Sequence, residues 1–541
     1  MTQATNSTGG GGSIGADMRG AGAEAEYVFE VSGGRFWKRV AAGEDGFEEW
    51  IELREGAMRR DLAATGLSPK AEGGAKMSAV DARLHEIEQG ARVVEARRLA
   101  GYRVGKHTIG GDTVLVPRAL RLLDKKRGEW LCLAAFMEGL LDGDDEDFAG
   151  GGAPKRTDQR DYAYAWLQDL LRSLYGGYIT SGPAFCIAGV PNCGKTRLLN
   201  IVRILCGDRV GLPYKWMIGR DDFNQELFGA ALWQIDDETV DTSGEARAGI
   251  GAWMKKIAAG EELKCRGMQR DGFNVRTTRR LFFSLNLAEN DLKVLPQLTD
   301  GVGDKMSAFK GYARPAVPAV GDGEGWAVYR ARYPATAAWW DHAIAAGMLR
   351  TEDLPRCWPM PMPADTVGEQ GSFWAQIVGE LPAFAWWLCE DYVAPSHVTG
   401  GRFRVRTFHH AEIVDALRSF DPHVHLWSLL MKSGVVWREC TGRDEGGRNE
   451  WRDREYWEGS TDELRALLTG EMSQLSEHEK RELPKPVYLG VRIGEAKTHW
   501  GEGVAQHKRT NAGRFWVLRP SPEQRALAAM RKQNVPARAG S

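Results

Sequence analysis

The chain has no closely spaced cysteines. Its eight cysteines stand at 132, 186, 193, 206, 265, 357, 389 and 440, and no two fall within four residues of each other. That spacing excludes a zinc ribbon and a disulfide-stapled scaffold. Cys132, Cys186 and Cys389 sit inside apolar runs and read as small core residues of a reduced chain. No run of about 18 apolar residues occurs, which excludes an ordinary membrane-spanning helix. The first residues, Met1 to Gly20, are polar and glycine-rich without the apolar stretch of a signal peptide. The expected location is therefore cytoplasmic, with no membrane partner. A large charge of one sign is missing too. The formal net charge is -2, so any contact with a polyanion must come from a local basic patch.

The composition that remains is globular, with 43% hydrophobic and 27% charged residues. At about 150 residues per domain the length allows roughly three or four domains. Residues 1–26 are Gly-, Ala-, Ser- and Thr-rich and read as a tail without fixed structure. Tyr27–Val31 and Arg35–Val40 read as a hairpin, Trp50–Arg54 as a further strand, and Ala57–Leu67 and Ser78–Ala100 as helices. Gly101–Ile109 and Thr113–Pro117 read as strands around Gly110 to Asp112. No metal-binding D-x-D pair lies on a strand in this region, and the acidic run Asp142–Asp147 reads as a solvated linker among glycines.

The stretch from Ala184 to Thr196 organises the rest. Phe185 to Ala188 is an apolar run that reads as a buried strand. Gly189 to Thr196 follows with the pattern G-x-x-x-x-G-K-T, and Arg197–Leu205 is a helix with apolar residues at 198, 201, 202 and 205. Strand, glycine loop and helix form the context that a phosphate-binding loop requires. Gly189, Pro191, Asn192, Cys193, Gly194, Lys195, Thr196 and Arg197 are the expected nucleotide-binding residues. Glycines let backbone N–H groups converge on phosphate oxygens, and the helix N-terminus adds partial positive charge. Lys195 is placed to reach the β and γ phosphates of ATP, and the Thr196 hydroxyl to help hold Mg²⁺.

Forty residues on, Ala230–Ile235 is an apolar strand that runs into Asp236, Asp237 and Glu238. One carboxylate is expected to hold Mg²⁺, with Asp236 and Asp237 the metal candidates, and a neighbour to polarise the attacking water. Adjacent strand residues point to opposite faces, so the assignment among the three stays open. Trp253–Arg276 then reads as a helix and a cation-rich hairpin, and Arg280–Asn286 as an apolar strand that ends in an amide able to orient water or the γ-phosphate.

These four pieces, in this order within about 100 residues, resemble the superfamily 3 helicase core of the AAA+ class, and more closely the helicase part of phage, plasmid and poxvirus-type primase–helicases. Gly189–Thr196 with its Pro191-Asn192 pair corresponds to Walker A, Asp236–Glu238 to Walker B, Lys255–Arg276 to the motif between B and C, and Asn286 to sensor 1. The resemblance implies hexameric rings, ATP hydrolysis between subunits, 3′-to-5′ unwinding, and a pore hairpin that places Lys264, Arg266 and Arg270 on single-stranded DNA. It also calls for a cation acting on the next subunit's γ-phosphate. Lys305, Lys310 and Arg314 are the candidates, and Arg314 is carried as the catalytic one.

Beyond the core, residues 316–355 read as helical and Trp-rich, and Phe373–Tyr392 as a long amphipathic helix despite Pro382. Ser460–Glu463 is a capping box that opens a helix. Val487–Trp500 reads as another helix, and Val504–Leu518 as a hairpin with a basic turn. Helices followed by a basic hairpin imply a winged helix, in which Lys508, Arg509 and Arg514 contact duplex DNA. From Arg481 to Ser541 there are twelve Lys and Arg against four Asp and Glu, which suits phosphate contacts.

The expected fold class is α/β: an AAA+-like P-loop ATPase domain at 151–320, a mixed α/β N-terminal domain with its linker at 27–150, a helical domain at 321–455 and a winged-helix domain with a basic tail at 456–541. The expected function is an ATP-dependent DNA helicase in replication of a phage, plasmid or integrated element, with a separate primase as a possible partner. Two other readings are an ATP-switched initiator or loader that recruits a primase without unwinding DNA, and a metabolic P-loop kinase. The basic hairpin and basic tail argue against the kinase.

Overall fold

The computed structural model describes residues 26–40, 48–142, 158–236, 244–268, 272–296, 298, 300–312, 322–348, 373–419, 422–443, 447, 449–500, 505–510 and 513–519. The chain is mixed α/β with several sheets, one of them parallel throughout. Among the described residues no helix is long and apolar enough to cross a membrane.

The N-terminal hairpin forms as its alternating pattern requires. β1 (Tyr27–Glu30) pairs antiparallel with β2 (Arg35–Val40) through a turn with Gly34 at φ 59°, and β3 (Glu49–Leu53) adds to β2. α1 (Glu55–Ala64) and α2 (Ala79–Gly90) cover this sheet through Met58, Leu62, Val80, Leu84 and Ile87. α2 starts where Ser78 accepts a hydrogen bond from the Asp81 amide. It stops at Gly90, ten residues short of the expected end. Gly90 is a poor helix former, and the β-branched residues that follow do better in an extended chain. β4 (Arg92–Val93) pairs with β1, and β5 (Glu95–Ala96) pairs with β7 (Asp112–Val116), itself in a hairpin with β6 (Gly105–Ile109).

A segment without helix or strand, residues 117–130, leads to α3 (Leu131–Leu141) and α4 (Gln159–Gly176). The central sheet follows. In chain order its region contains β8 (Ala184–Gly189), α5 (Lys195–Leu205), β9 (Val210–Gly211), α6 (Tyr214–Met217), β10 (Leu232–Ile235), α7 (Gly244–Ala259), the hairpin β11 (Leu263–Cys265) and β12 (Phe273–Val275), β13 (Arg280–Asn286), α8 (Glu289–Leu292), α9 (Asp300–Gly303) and β14 (Met306–Gly311). The spatial order is β14-β8-β13-β10-β9. A parallel sheet needs cover on both faces, and the strand sequences supply it with period two. Phe185, Ile187 and Phe282 enter one core with α3, α4 and α5. Cys186, Ala188, Leu281, Phe283 and Leu285 enter the other with α7 and the hairpin.

The helices after the sheet do not stand apart from it. α10 (Gly323–Arg332), α11 (Pro334–Ala345) and α12 (Phe373–Trp386) join the first core through Tyr329, Trp340, Ile377 and Phe384. α12 tolerates Pro382 but does not run as a plain helix to Tyr392, because residues Trp387–Asp391 form a π turn closed by the Tyr392 amide on the Trp387 carbonyl. α13 (Ala411–Ser419) joins the second core through Ile413 and Leu417. One core therefore runs across both the 150/151 and the 320/321 positions.

A third core begins at α14 (Pro422–Lys432). The chain continues through the exposed hairpin β15 (Arg438–Arg443) and β16 (Asn449–Asp453), then β17 (Trp457–Gly459), α15 (Thr461–Thr469), α16 (Glu477–Glu482), α17 (Pro486–Trp500), β18 (Ala505–Thr510) and β19 (Gly513–Leu518). Leu426, Leu430 and Val436 pack with Leu464, Leu489, Ile493 and Trp516, so this core crosses the 455/456 position. The Ser460–Glu463 capping box forms, and a second one forms at Ser476–Glu479.

Candidate functional site

The loop after β8 is shaped by steric limits. A Cβ on Gly189 would lie under 3.0 Å from the Gly311 carbonyl oxygen and 2.9 Å from the Cys193 Sγ. Gly194 has φ 112°, and a Cβ there would meet the Phe136 ring at 2.9 Å. Asn192 takes φ 64°, a conformation that asparagine accepts more readily than most residues. The loop is thus held between β14 on one side and α3 on the other. Burial pushes the Cys193 thiol up, against the opposing pull of Lys195.

α5 opens at Lys195, whose side chain folds back inside the loop and is only 5% exposed. Its Nζ donates to the carbonyl oxygens of Gly189 at 3.1 Å and Val190 at 2.9 Å, and to the Asn286 Oδ1 at 3.1 Å. Thr196 is exposed beside it. Arg197 is engaged elsewhere. Its guanidinium lies 5.3 Å from the Phe373 ring and 5.7 Å from the Trp374 ring at the start of α12, and burial lowers its pKa.

Strand register sets the rest of this edge. Asn286 of β13 and Gly311 of β14 both stand opposite Gly189, so three strand ends meet at one level. Asp236 follows β10 directly and is half-buried. Asp237 and Glu238 lie outside the described residues, so the choice of carboxylate stays open. Among the cations, Lys305 precedes β14, at the opposite end of the strand from the loop, and pairs with Asp304 at 2.5 Å. Lys310 lies at the loop end but is tied to Glu412. Arg314 lies outside the described residues. Gly311 was not marked in the sequence. Its signal is a glycine that directly ends a buried strand, where a Cβ would meet the Cys193 Sγ at 3.1 Å and the Lys195 Cγ at 3.4 Å.

The cationic hairpin forms as expected, with Lys264 opposite Asn274 and Cys265 opposite Phe273. Lys264 and Arg266 are exposed, and Arg270 lies outside the described residues. The turn end of the hairpin is clamped from two sides that sequence patterns do not reveal. The Asn224 side chain donates to the Lys264 carbonyl at 2.9 Å and accepts from the Arg266 amide at 2.7 Å. From the N-terminal region, Arg97 donates to the Cys265 Sγ at 2.8 Å, packs over Phe273, and pairs with buried Glu95 at 2.6 Å. Burial pushes the Cys265 thiol up to about 11, and Arg97 opposes the shift. Toward the C-terminal end, Lys508 and Arg509 lie on β18 and Arg514 on β19, with Arg509 directly opposite Arg514.

No family model matches the chain, and no curated protein matches it. Among solved structures, an apo structure of the NrS-1 C terminal region (305-718) is 10% identical with a TM-score of 0.47, and the match covers 92% of this chain and 96% of that one. The A form apo structure of the same region is 9% identical with a TM-score of 0.44, covering 92% and 97%.

Proposed function

We propose that the chain is an ATP hydrolase that moves along DNA, an ATP-dependent DNA helicase acting in replication of a phage, plasmid or integrated element. The observation that carries this reading is the hydrogen bond between Lys195 and Asn286 at the carboxyl edge of a parallel sheet of order β14-β8-β13-β10-β9. Ligands of open α/β sheets bind at that edge, and the strand order suits a P-loop ATPase core of the AAA+ kind. The residues fit ATP with Mg²⁺: a loop without side-chain obstruction at Gly189 and Gly194, an exposed hydroxyl on Thr196, and a carboxylate on Asp236.

In this reading the Lys195 ammonium exchanges the carbonyls of Gly189 and Val190 for phosphate oxygens. Thr196 and Asp236, or Asp237 in its place, would hold Mg²⁺, which would supply charge neutralisation at the phosphates. Asn286, at the end of β13, orients the attacking water, and Glu238 or a neighbouring carboxylate accepts its proton. Arg314 serves a neighbouring subunit in a homo-hexamer. Lys264, Arg266 and Arg270 grip single-stranded DNA, and the α15–α17 helices with the β18–β19 wing, carrying Lys508, Arg509 and Arg514, hold duplex.

The test is ATP hydrolysis with and without single-stranded DNA, for wild type and Lys195→Ala. Turnover that DNA stimulates and the substitution removes supports the motor. Equal turnover in both proteins overturns the reading.

A further inference from the structure

Four arginines meet where the N-terminal sheets abut the β9 edge of the central sheet. Arg98 follows β5 and Arg118 follows β7, while Arg209 directly precedes β9. Arg98 and Arg209 share one floor: a Cβ on Gly229 would lie 3.5 Å from the Arg98 Cβ and 3.8 Å from the Arg209 Nη2. The backbone of Arg121 packs on Gly207, two residues before Arg209, where a Cβ would meet its carbonyl oxygen at 3.1 Å. Arg118 is held by Glu49 at 2.7 Å. Arg98 and Arg209 have no carboxylate partner among the described residues. Burial and then the fields of Arg209, Arg118 and Arg121 lower the pKa of Arg98, with Glu49 opposing, so the charge of the other three reaches Arg98.

Glu49 offsets part of this like charge, and an anion beside Arg98 and Arg209 would offset more. We propose that Arg98, Arg118, Arg121 and Arg209 form a docking surface for the phosphodiester backbone of a nucleic acid. Three features favour that partner. All four cations are arginine, whose planar fork matches phosphate oxygens better than an ammonium does. Arg118, Arg121 and Arg209 are exposed. The surface also continues as a track rather than a point. Residues 117–130 carry Arg118, Arg121, Lys126 and Arg127, the last packed over Trp386, while Lys125 is taken up by Glu390. With Arg121, Lys126 and Arg127 at separate positions along it, the segment offers cations to more than one phosphate. The track also adjoins the cationic hairpin, because Arg97 grips Cys265 while its neighbour Arg98 joins the arginine group. The surface does not depend on the ATPase reading.

The experiment is a binding titration of the full chain with fluorescently labelled single-stranded and duplex oligonucleotides at several salt concentrations. Arg121→Ala and Arg209→Ala are each expected to weaken binding several-fold. Each should lower the slope of log affinity against log salt by roughly 0.7 for a single strand or roughly 0.9 for duplex. Whichever nucleic acid shows the change is the partner. Arg209→Lys keeps the charge and should keep the slope while losing affinity. Unchanged affinity and slope in the Arg121→Ala/Arg209→Ala double variant, with Lys264→Ala still weakening binding, would overturn the proposal and leave the hairpin as the contact. Displacement of DNA by polyglutamate at equal charge would also overturn it, in favour of an acidic protein partner. Loss of binding in the double variant beside a Lys195→Ala protein with normal ATP turnover would retain this surface and remove the motor.

Discussion

The ammonium of Lys195 and the side-chain oxygen of Asn286 lie 3.1 Å apart, although 91 positions separate them in the chain. The bond joins the start of α5 to the end of β13 and satisfies a buried cation by amide and carbonyl oxygens. Replacing Lys195 with Ala should lower the turnover number for ATP by about 100-fold or more, the scale for loss of one preorganised charge-stabilising donor. A phosphate-release assay at saturating ATP checks this.

Asn286→Asp should act differently. A carboxylate at that position would form a charge-assisted bond to Lys195 and hold the ammonium away from phosphate. Nucleotide affinity should then fall, whereas Asn286→Ala should leave affinity nearly unchanged and lower turnover. Equilibrium binding of a fluorescent ATP analogue beside steady-state kinetics separates the two effects.

Gly189→Ala forces the new methyl group onto the Gly311 carbonyl, which is backbone and cannot swing aside. Overpacking of this kind costs about 1–3 kcal/mol. Gly311→Ala meets the movable Cys193 Sγ at 3.1 Å and should cost less, while still disturbing Lys195. Thermal denaturation should rank the two variants in that order.

Arg97→Ala takes its ion pair away from Glu95, a carboxylate that is itself only 2% exposed. Breaking a buried pair from one side costs about 3–5 kcal/mol. The same change removes the donor on Cys265, so affinity for single-stranded DNA should fall along with the melting temperature. The Glu95→Gln/Arg97→Met double variant should recover stability but not the grip on the hairpin.

Glu380 carries a pH dependence. Burial raises its carboxyl from 4.5 to about 7, against the pull of the Leu133 and Cys132 amides, which donate to it at 2.7 and 3.1 Å. The folded chain therefore binds this proton more tightly than the unfolded chain. The stability it contributes is complete below 4.5 and is lost as pH rises through about 7. The melting temperature should fall across that interval in wild type, and Glu380→Gln should flatten the slope.

Much of the central sheet was legible because its signals are local. The run from Phe185 to Ala188 is apolar on both faces, as a doubly covered strand must be, and the glycine loop follows it directly. The hairpin at Lys264 and the Ser460 capping box are equally short-range. What escaped came from distant partners or from weak punctuation. Nothing local marks Gly311, Asn224 or Arg97, whose roles exist only against residues far along the chain. The sequence pattern extends the helix from Ser78 ten residues too far because Arg92 to Ala100 contains no proline. Its extended course is decided by pairing with β1 and β7, which periodicity does not report.

The core shared by α3, α4, α5, α11 and α12 has a practical meaning for dissection of the chain. A fragment cut at 151 and 320 would keep the glycine loop but discard Phe136, Leu140, Trp340 and Phe384, which bury that face of the sheet. Such a piece should be protease-sensitive and aggregate. Limited digestion of the intact chain should instead release a larger unit that keeps the flanking helices attached.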